Sequence, residues 1–287
     1  MTLGATLTAA RDRLIEAGVT RADAAVDVDV FARVILGWDR ARLLTSLSAE
    51  APSSLEPRFS EWIARRERFE PTAYIVGSRE FWGLDFHVSP AVLIPRPETE
   101  FIVDEALQLL RADGNGGAGA VRIADIGTGC GCIAVSLARE IPRCRVVATD
   151  VSGDALGVAR GNAARHGVAD RIEFVRTSYL DGVDGEFDLI AANPPYVRDG
   201  DKRGLSPDVR HEPDVALFGG ISGLTLIDGV IETALTKLRG AGWFVMEFGF
   251  GQEDDVRELV QRRPQLRIDH VRADLQGLAR TAIVQKA

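Results

Sequence analysis

Residues 188–200 read DLIAANPPYVRDG. Asp188 to Ala192 is a short, mostly apolar run of the kind that forms a buried strand. Asn193-Pro194-Pro195-Tyr196 then stops it, because neither proline has an N–H for a ladder and each biases the residue before it toward extended geometry. The product is a stiff turn with a side-chain amide at one end and an aromatic ring at the other. Such a clamp can hold a small polar group in one orientation. Taken alone, the same string also fits a plain turn in which Asn-Pro starts the reversal and Tyr196 covers a core edge.

A second cluster lies upstream. The stretch ADIGTGCGCIAVSLA follows a strand-like run and opens a helical one. Gly127, Gly129 and Gly131, with Thr128 and Cys130 between them, form G-x-G-x-G. Glycine there permits positive φ and lets backbone approach a ligand with no Cβ in the way. The loop is neither a Walker A loop nor the G-x-G-x-x-G of a dinucleotide site, so its ligand need not carry phosphates. By itself it is equally a tight turn. Asp150 changes the balance: it ends the next strand-like run, 21 residues after Gly129. An acid at that place can accept hydrogen bonds from both hydroxyls of a ribose. Loop and acid together imply a nucleoside cofactor at the carboxyl ends of the strands, and Asp125, just before the loop, can orient a cationic part of it. S-adenosylmethionine fits, with ribose hydroxyls, a sulfonium, an α-amino group and no phosphate.

The elements that must position these residues belong to a chain of 287 residues, 46% hydrophobic and 26% charged, with 29 glycines. That suits one large α/β domain plus a smaller one. No apolar run approaches the roughly 20 residues needed to span a bilayer. The start of the chain carries Arg11, Asp12, Arg13 and Glu16, which excludes a secretory signal and points to the cytoplasm. The three cysteines, Cys130, Cys132 and Cys144, lack C-x-x-C spacing. They read as small buried residues in a reducing compartment, with neither a disulfide framework nor a metal site. Net charge is −8 and the isoelectric point about 5.2, against a dedicated duplex-DNA binder. Residues 1–75 are near neutral, with ten Arg against eleven acids, and the acidity lies in the remainder.

Residues 1–70 show helical rather than strand periodicity: Leu3, Leu7, Leu14, then Val26, Val30, Phe31, Val34 and Ile35. We read a small bundle of short helices. One of them, about 55–69, carries Arg65, Arg66 and Arg68, a run that reads as a solvated face in preference to a partner patch. Residues 74–95, rich in aromatic and β-branched types and punctuated by glycine and proline, read as a hairpin-like connector. A helix follows, with Thr99 and Glu100 at its start and Ile102, Val103, Ala106, Leu107 and Leu110 as its apolar stripe. Residues 113–120 read as a flexible loop. From 121 onward strand-like and helical runs alternate: strands at 121–127, 145–150, 172–177, 187–193 and 243–249, then 266–271 and 281–287 without a helical crossover. This predicts an α/β, doubly wound, mostly parallel seven-stranded sheet with helices on both faces, one of the last two strands being antiparallel. The expected division is a helical domain at 1–73, a connector at 74–96 and the cofactor-binding domain at 97–287.

The stretches FWGLDFHVSPAVLIPRPETE, DIGTGCGCIAVSLA, NPPYV, HEPDVALFGG and GWFVMEFG, in that order, resemble the HemK/PrmC family of protein-(glutamine-N5) methyltransferases, which modify peptide chain release factors. The resemblance covers essentially the whole chain. NPPY alone is shared with adenine-N6 and other amino-group methyltransferases, whereas IPRPETE and HEP-x-x-AL are far more selective. The resemblance implies a class I, Rossmann-like methyltransferase fold with Gly127 to Gly131 and Asp150 at S-adenosylmethionine. It implies that Asn193 to Tyr196 hold the acceptor glutamine of a Gly-Gly-Gln loop, in support of translation termination. Tyr179 falls where the family places an aromatic residue by the adenine. Ser178 stands where the family commonly has an acid, and Ser222 where it has another.

In this reading the Asn193 side-chain carbonyl and the Pro194 backbone carbonyl each accept one N–H of the acceptor amide, while Tyr196 packs on that flat group and Pro195 stiffens the turn. No strong base is needed, since the attacked nitrogen becomes acidic only as it gains positive charge, and His87, His166, His211 and His270 read as structural or surface residues. The helical domain would dock the release factor, a protein substrate met by a monomer without direct nucleic-acid or membrane contact. A sibling enzyme acting on a ribosomal-protein glutamine would share clamp and loop. A DNA adenine-N6 methyltransferase would share the clamp, but the acidic balance and the lack of a basic insert weigh against it. A non-catalytic cofactor-binding protein would have no need of both Asn193 and Asp150.

Overall fold

The computed structural model describes residues 1–112 and 120–287. Of the stretch read as a flexible loop, 113–119 lies outside the described residues. The chain forms two compact units: residues 1–77 with 206–211, and residues 78–205 with 212–287. Among the described residues no helix is long and apolar enough to cross a membrane.

The first unit is helical: α1 (Leu3–Glu16), α2 (Arg21–Leu36), α3 (Arg40–Thr45), α4 (Arg58–Arg66) and α5 (Thr72–Val76). The first three are started by side-chain caps. Thr2, Thr20 and Asp39 accept the N–H groups of Ala5, Asp23 and Arg42 at 3.3, 3.1 and 2.7 Å, satisfying donors that a helix start leaves without partners. The stripe Leu3, Leu7 and Leu14 is buried as expected. On α2 the buried face is different from the one the periodicity suggested. It holds Ala24, Asp27, Val28, Phe31 and Ala32, while Val26 and Val34 are exposed. The α2 sequence is apolar on most sides, so spacing alone could not phase it. A polar residue decides the phase. Asp27 accepts from the Arg66 Nε at 2.7 Å and the Thr72 hydroxyl at 2.5 Å, and Arg66 also pairs with Asp208 at 2.9 Å. The solvated-face reading of the 65–68 run therefore fails at Arg66, which is 4% exposed. Arg65 is half-buried and bound to Glu70; only Arg68 is exposed.

The second unit opens with an antiparallel hairpin, β1 (Ser78–Phe81) and β2 (Leu84–His87), turning at Trp82 and Gly83, both with positive φ. A single 3-10 turn at Pro97–Thr99 leads into α6 (Glu100–Ala112), whose stripe Ile102, Val103, Ala106, Leu107 and Leu110 is buried. Then come β3 (Val121–Ile126), α7 (Cys132–Glu140), β4 (Cys144–Asp150), α8 (Gly153–Arg165), β5 (Ile172–Arg176) and β6 (Phe187–Ala192). The chain continues with α9 (Asp214–Leu217), α10 (Thr225–Lys237), β7 (Leu238–Glu247), α11 (Glu253–Gln261), β8 (Leu266–Ala273) and β9 (Ala279–Lys286). Strands β3 to β9 form one seven-stranded sheet in the order β5-β4-β3-β6-β7-β9-β8, in which β9 runs antiparallel to both its neighbours. The central strands are apolar nearly throughout because helices cover both faces.

This order reverses direction between β3 and β6, the place where open α/β sheets bind ligands beyond the strand ends. The register makes the juxtaposition specific. Ile126 lies level with Thr149 on β4 and Ala192 on β6, and Ala192 lies level with Met246 on β7. The next residue on each strand is therefore Gly127, Asp150, Asn193 and Glu247, four neighbours along one edge.

Candidate active site

A cavity of about 320 Å3 opens at this edge. Its walls include Gly127 to Cys130, Asp150, Tyr179 and Asn193 to Pro195, which were expected from the sequence, together with Arg96, Thr99 and Ser178. The glycine loop is pinned from behind. The N–H groups of Gly127 and Thr128 both donate to the Thr149 carbonyl at 2.9 Å. Gly127, Gly129 and Gly131 all have positive φ. A Cβ built on Gly129 meets nothing within 4 Å, so it would project into space the cavity leaves for a ligand; one on Gly131 would press on Ala159 of α8 at 3.1 Å. The first glycine thus keeps the cradle open, and the second lets α7 approach α8.

Asp150 uses one lone pair on each oxygen within the fold. Its Oδ2 accepts the Gly129 N–H at 3.0 Å and its Oδ1 the Ser152 N–H at 2.8 Å. The carboxylate is half-buried at the cavity wall and keeps acceptor capacity toward it. Asp125 behaves differently. It is fully buried and does not line the cavity, so the expected direct contact with a cationic cofactor group is not made there. Its Oδ2 accepts from the Thr128 hydroxyl at 2.6 Å and the Ala134 N–H at 3.1 Å, tying the loop to the first turn of α7. Its Oδ1 is buried without a partner. Burial pushes the Asp125 carboxyl up to about 7, against the hydrogen bond from Thr128. Asn162 of α8, which carried no signal in the sequence, holds the loop from the other side. Its side chain donates to the carbonyls of Cys130 at 2.8 Å and His87 at 3.0 Å and accepts the His87 N–H at 2.8 Å. Cys130 and Cys132 are buried thiols beside this loop; their mutual hydrogen bond, with burial, drives the Cys132 thiol well above its ordinary range.

Tyr179 has a left-handed backbone, rare for a non-glycine residue, and its carbonyl accepts the Thr149 hydroxyl at 2.6 Å. Its ring packs on Gly229 of α10, where an added Cβ would lie 2.2 Å from the phenolic oxygen. Ser178 lines the cavity with a short neutral side chain where an acid was anticipated. Ser222 has a local role: its hydroxyl accepts the Leu224 N–H at 3.2 Å.

The clamp is braced by the segments that resembled the family most selectively. Val197 donates to Leu217 and Gly219 donates to Val197, at 2.9 and 2.8 Å, so the LFGG end of the HEPDVALFGG stretch lies alongside NPPYV. A Cβ on Gly219 would stand 2.4 Å from the Pro195 carbonyl, which only glycine permits. Buried Glu212 accepts the Ile94 N–H at 3.0 Å and pairs with Arg96, fixing the IPRPETE segment. The Asn193 Nδ2 donates to the Thr99 hydroxyl at 3.0 Å, and that hydroxyl donates to Glu247 Oε2 at 2.6 Å. Neither Asn193 Oδ1 nor the Pro194 carbonyl is engaged by another group among the described residues. Tyr196, expected to pack on the acceptor, is half-buried and does not line this cavity. Its hydroxyl donates to Glu247 Oε1 at 3.3 Å, and burial, then the nearby Glu247, raise its phenol. Glu247 is 2% exposed, and burial pushes its carboxyl up to about 7. Thr99 and Glu247 were missed as site residues. The only signal available was their place in two matching stretches, PETE and MEFG.

A nucleoside ligand fits this set on two counts: a wall whose glycine leaves room that a Cβ would fill, and an aspartate with free acceptor capacity at the end of the adjacent strand.

Comparison with known proteins agrees. Residues 5–77 match the PrmC N-terminal domain and residues 102–207 the methyltransferase small domain. A release factor glutamine methyltransferase of Moorella thermoacetica is 39% identical over 282 residues, 96% of each chain. Those of Bradyrhizobium diazoefficiens and Nitratidesulfovibrio vulgaris are 40% and 45% identical, over 91% and 77% of this chain and 89% and 75% of theirs. Among solved structures, the hMettl16 catalytic domain superposes with a TM-score of 0.57 at 18% identity over 80% of both chains. A methyltransferase from Pyrococcus furiosus gives 0.50 at 18%, over 72% of this chain and 91% of its own. These two show the class I methyltransferase fold, and the sequence relatives show more: this chain belongs to the release factor glutamine methyltransferase family.

Proposed function

We propose that this protein transfers the methyl group of S-adenosylmethionine to the side-chain amide nitrogen of the glutamine in the Gly-Gly-Gln loop of peptide chain release factors. The observation that carries the reading is the polarity of Asn193. With its NH2 given to Thr99, its carbonyl oxygen is left as an acceptor beside the carbonyl of Pro194. A primary amide nitrogen is a poor nucleophile because its lone pair is delocalised into its own carbonyl. Two acceptors on its two N–H bonds fix the group and favour charge build-up on nitrogen. Positioning of this kind is worth about 7–11 kcal/mol of barrier in well-oriented systems. S-adenosylmethionine supplies the electrophilic methyl. Asp150 accepts from the ribose hydroxyls, the loop from Gly127 to Gly131 admits the cofactor closely, and Tyr179 packs by the adenine. The nitrogen sheds its proton once methylated, when it is strongly acidic, so no side-chain base is called for.

The acceptor loop offers little side chain to grip. We assign the docking of the folded release factor to the helical residues 1–73, with 74–96 as connector, acting as a monomer in the cytoplasm. Methyl transfer from labelled S-adenosylmethionine should be measured in parallel on release factor, ribosomal proteins and DNA. Label appearing on a ribosomal protein or on DNA instead of release factor would overturn the substrate assignment. A chain beginning at Ser78, shown folded by circular dichroism, should bind cofactor yet lose most of its kcat/KM on intact release factor. Full efficiency in that chain would remove the docking role.

A further inference from the structure

Glu247 is a carboxylate at the end of a central strand, buried and, among the described residues, with no cationic partner in hydrogen-bond contact. Burying a charge in this way is costly, and an apolar residue would serve the sheet better. Its surroundings give a reason for it. An ionised carboxylate has no proton to give and only accepts. Here it accepts from Thr99 at Oε2 and from Tyr196 at Oε1, at 2.6 and 3.3 Å. A threonine hydroxyl has a single hydrogen, and that of Thr99 is committed to Glu247. Toward Asn193, 3.0 Å away, the Thr99 oxygen can therefore only accept. Asn193 must turn its NH2 to Thr99, which sends its carbonyl oxygen the other way. The two ends of an asparagine amide are nearly isosteric, so sterics alone do not choose between them. The one-way chain from Glu247 does.

We propose that Glu247 and Thr99 are positioning residues that set the polarity of the Asn193 amide, presenting its oxygen rather than its NH2 to the acceptor. The proposal rests on the glutamine-methylating reading above. In the reversed orientation the Asn193 NH2 would meet an N–H of the acceptor, donor against donor, and the clamp would be left with the Pro194 carbonyl alone. The orientation is tied to ionisation. A protonated Glu247 can donate to the Thr99 oxygen, which frees the Thr99 hydrogen to point at Asn193 and lets the amide turn over. The charged groups acting on Glu247 are Glu98, which opposes its ionisation, and Arg280, which favours it; Tyr196, which donates to it, is itself influenced by Arg280 and Arg96. Burial outweighs the rest, so the carboxyl titrates near neutrality, at about 7.

The test compares wild type with Glu247→Gln, Thr99→Val and Thr99→Ser across pH 5.5 to 8.5. Wild-type kcat on release factor should fall about tenfold per unit on the acid side of an apparent pKa near 7. Glu247→Gln can present either end of its amide to Thr99, so it should lose that limb and turn over about tenfold or more slower at pH 8, with the dissociation constant for S-adenosylmethionine within about twofold. Thr99→Val should be slow at unchanged cofactor affinity, and Thr99→Ser should recover most of what Val loses. A Glu247→Gln protein with wild-type rate and an intact acid limb overturns the proposal, as does a fully active Thr99→Val. A second readout needs no substrate. The Asn193 side-chain NH2 resonance, assigned by its loss in Asn193→Ala, should titrate in wild type and not in Glu247→Gln. If that resonance is insensitive to pH, the polarity relay is refuted whatever the enzyme methylates. If it titrates while release factor is not methylated, it is the functional reading that falls.

Discussion

Replacing Asp150 by alanine tests the cofactor site at its most constrained residue. A carboxylate has about four lone-pair sites. Two are taken by the N–H groups of Gly129 and Ser152, at 3.0 and 2.8 Å, and the remaining two match the two hydroxyls of a ribose. Hydrogen bonds to a charged group are worth about 1.5–3 kcal/mol. Loss of the ribose contact should therefore weaken S-adenosylmethionine binding roughly 10- to 150-fold. The two backbone donors released at the same time lie at a cavity wall that water reaches, so the fold should lose less than a buried orphan would cost, about 1 kcal/mol or so. Asp150→Asn sharpens the comparison. Its amide has one oxygen and one NH2, and either orientation sets the NH2 against a backbone N–H, so this isosteric change should also weaken binding. Titration calorimetry with the cofactor, on proteins whose circular dichroism matches wild type, reads the result. An alanine variant that is folded and binds within about twofold of wild type would show that Asp150 serves the loop and not the ligand.

Asn193→Ala should reduce methylation of release factor by at least about a hundredfold while leaving cofactor affinity within a few fold, measured by single-turnover transfer and calorimetry. Asp27→Ala leaves the buried Arg66 guanidinium with Asp208 as its one remaining carboxylate and strips Thr72 of its acceptor, and should destabilise the first unit by about 1.5–3 kcal/mol in chemical denaturation, the worth of a hydrogen bond to a charged group. Asp125 makes a pH prediction. Its folded pKa of about 7 lies above its unfolded value, so its contribution to stability is full below the unfolded value and is lost as pH rises toward 7. Between pH 5 and 7 wild type should lose up to about 1.4 kcal/mol per unit relative to Asp125→Asn. Parallel slopes in urea denaturation would mean that the carboxyl ionises normally.

The cofactor half of the site could be read from the sequence because each part of it is local. A strand, three glycines and an acid at the end of the following strand are all set by short-range pattern, and β3 to β4 are consecutive neighbours. The clamp's supports were hidden for the opposite reason. Thr99 and Glu247 are separated by 148 residues and meet because α6, which Thr99 precedes, packs against β7, a tertiary fact that no window of sequence contains. Asn162 was invisible because a lone asparagine inside a helical pattern gives no hint that its amide spans two backbone segments. The α2 phase was misread because apolar residues surround that helix, and the polar pair that fixes it, Asp27 with Arg66, looks on paper like two surface charges. The hydrogen bond from the Tyr196 hydroxyl to Glu247 was equally hidden, since it joins residues 51 apart in the chain.

The assignment of residues 206–211 to the first unit has a consequence for how the chain is made. Arg66 is synthesised with Asp27 already available, but its other partner, Asp208, comes 142 residues later. At ribosomal speeds of about 5–20 residues per second, that is a delay of roughly 7–28 s. Throughout it the helical unit waits with Arg66 short of one of its two carboxylate partners, and when Asp208 is made three of the seven strands of the sheet, β7 to β9, have yet to be synthesised. The first unit is thus first in sequence, yet its chain is complete only when more than half of the second unit has been made. Its Arg66–Asp208 ion pair closes only after the NPPY turn has left the ribosome, so the maturation of the N-terminal helices waits on the emergence of β6.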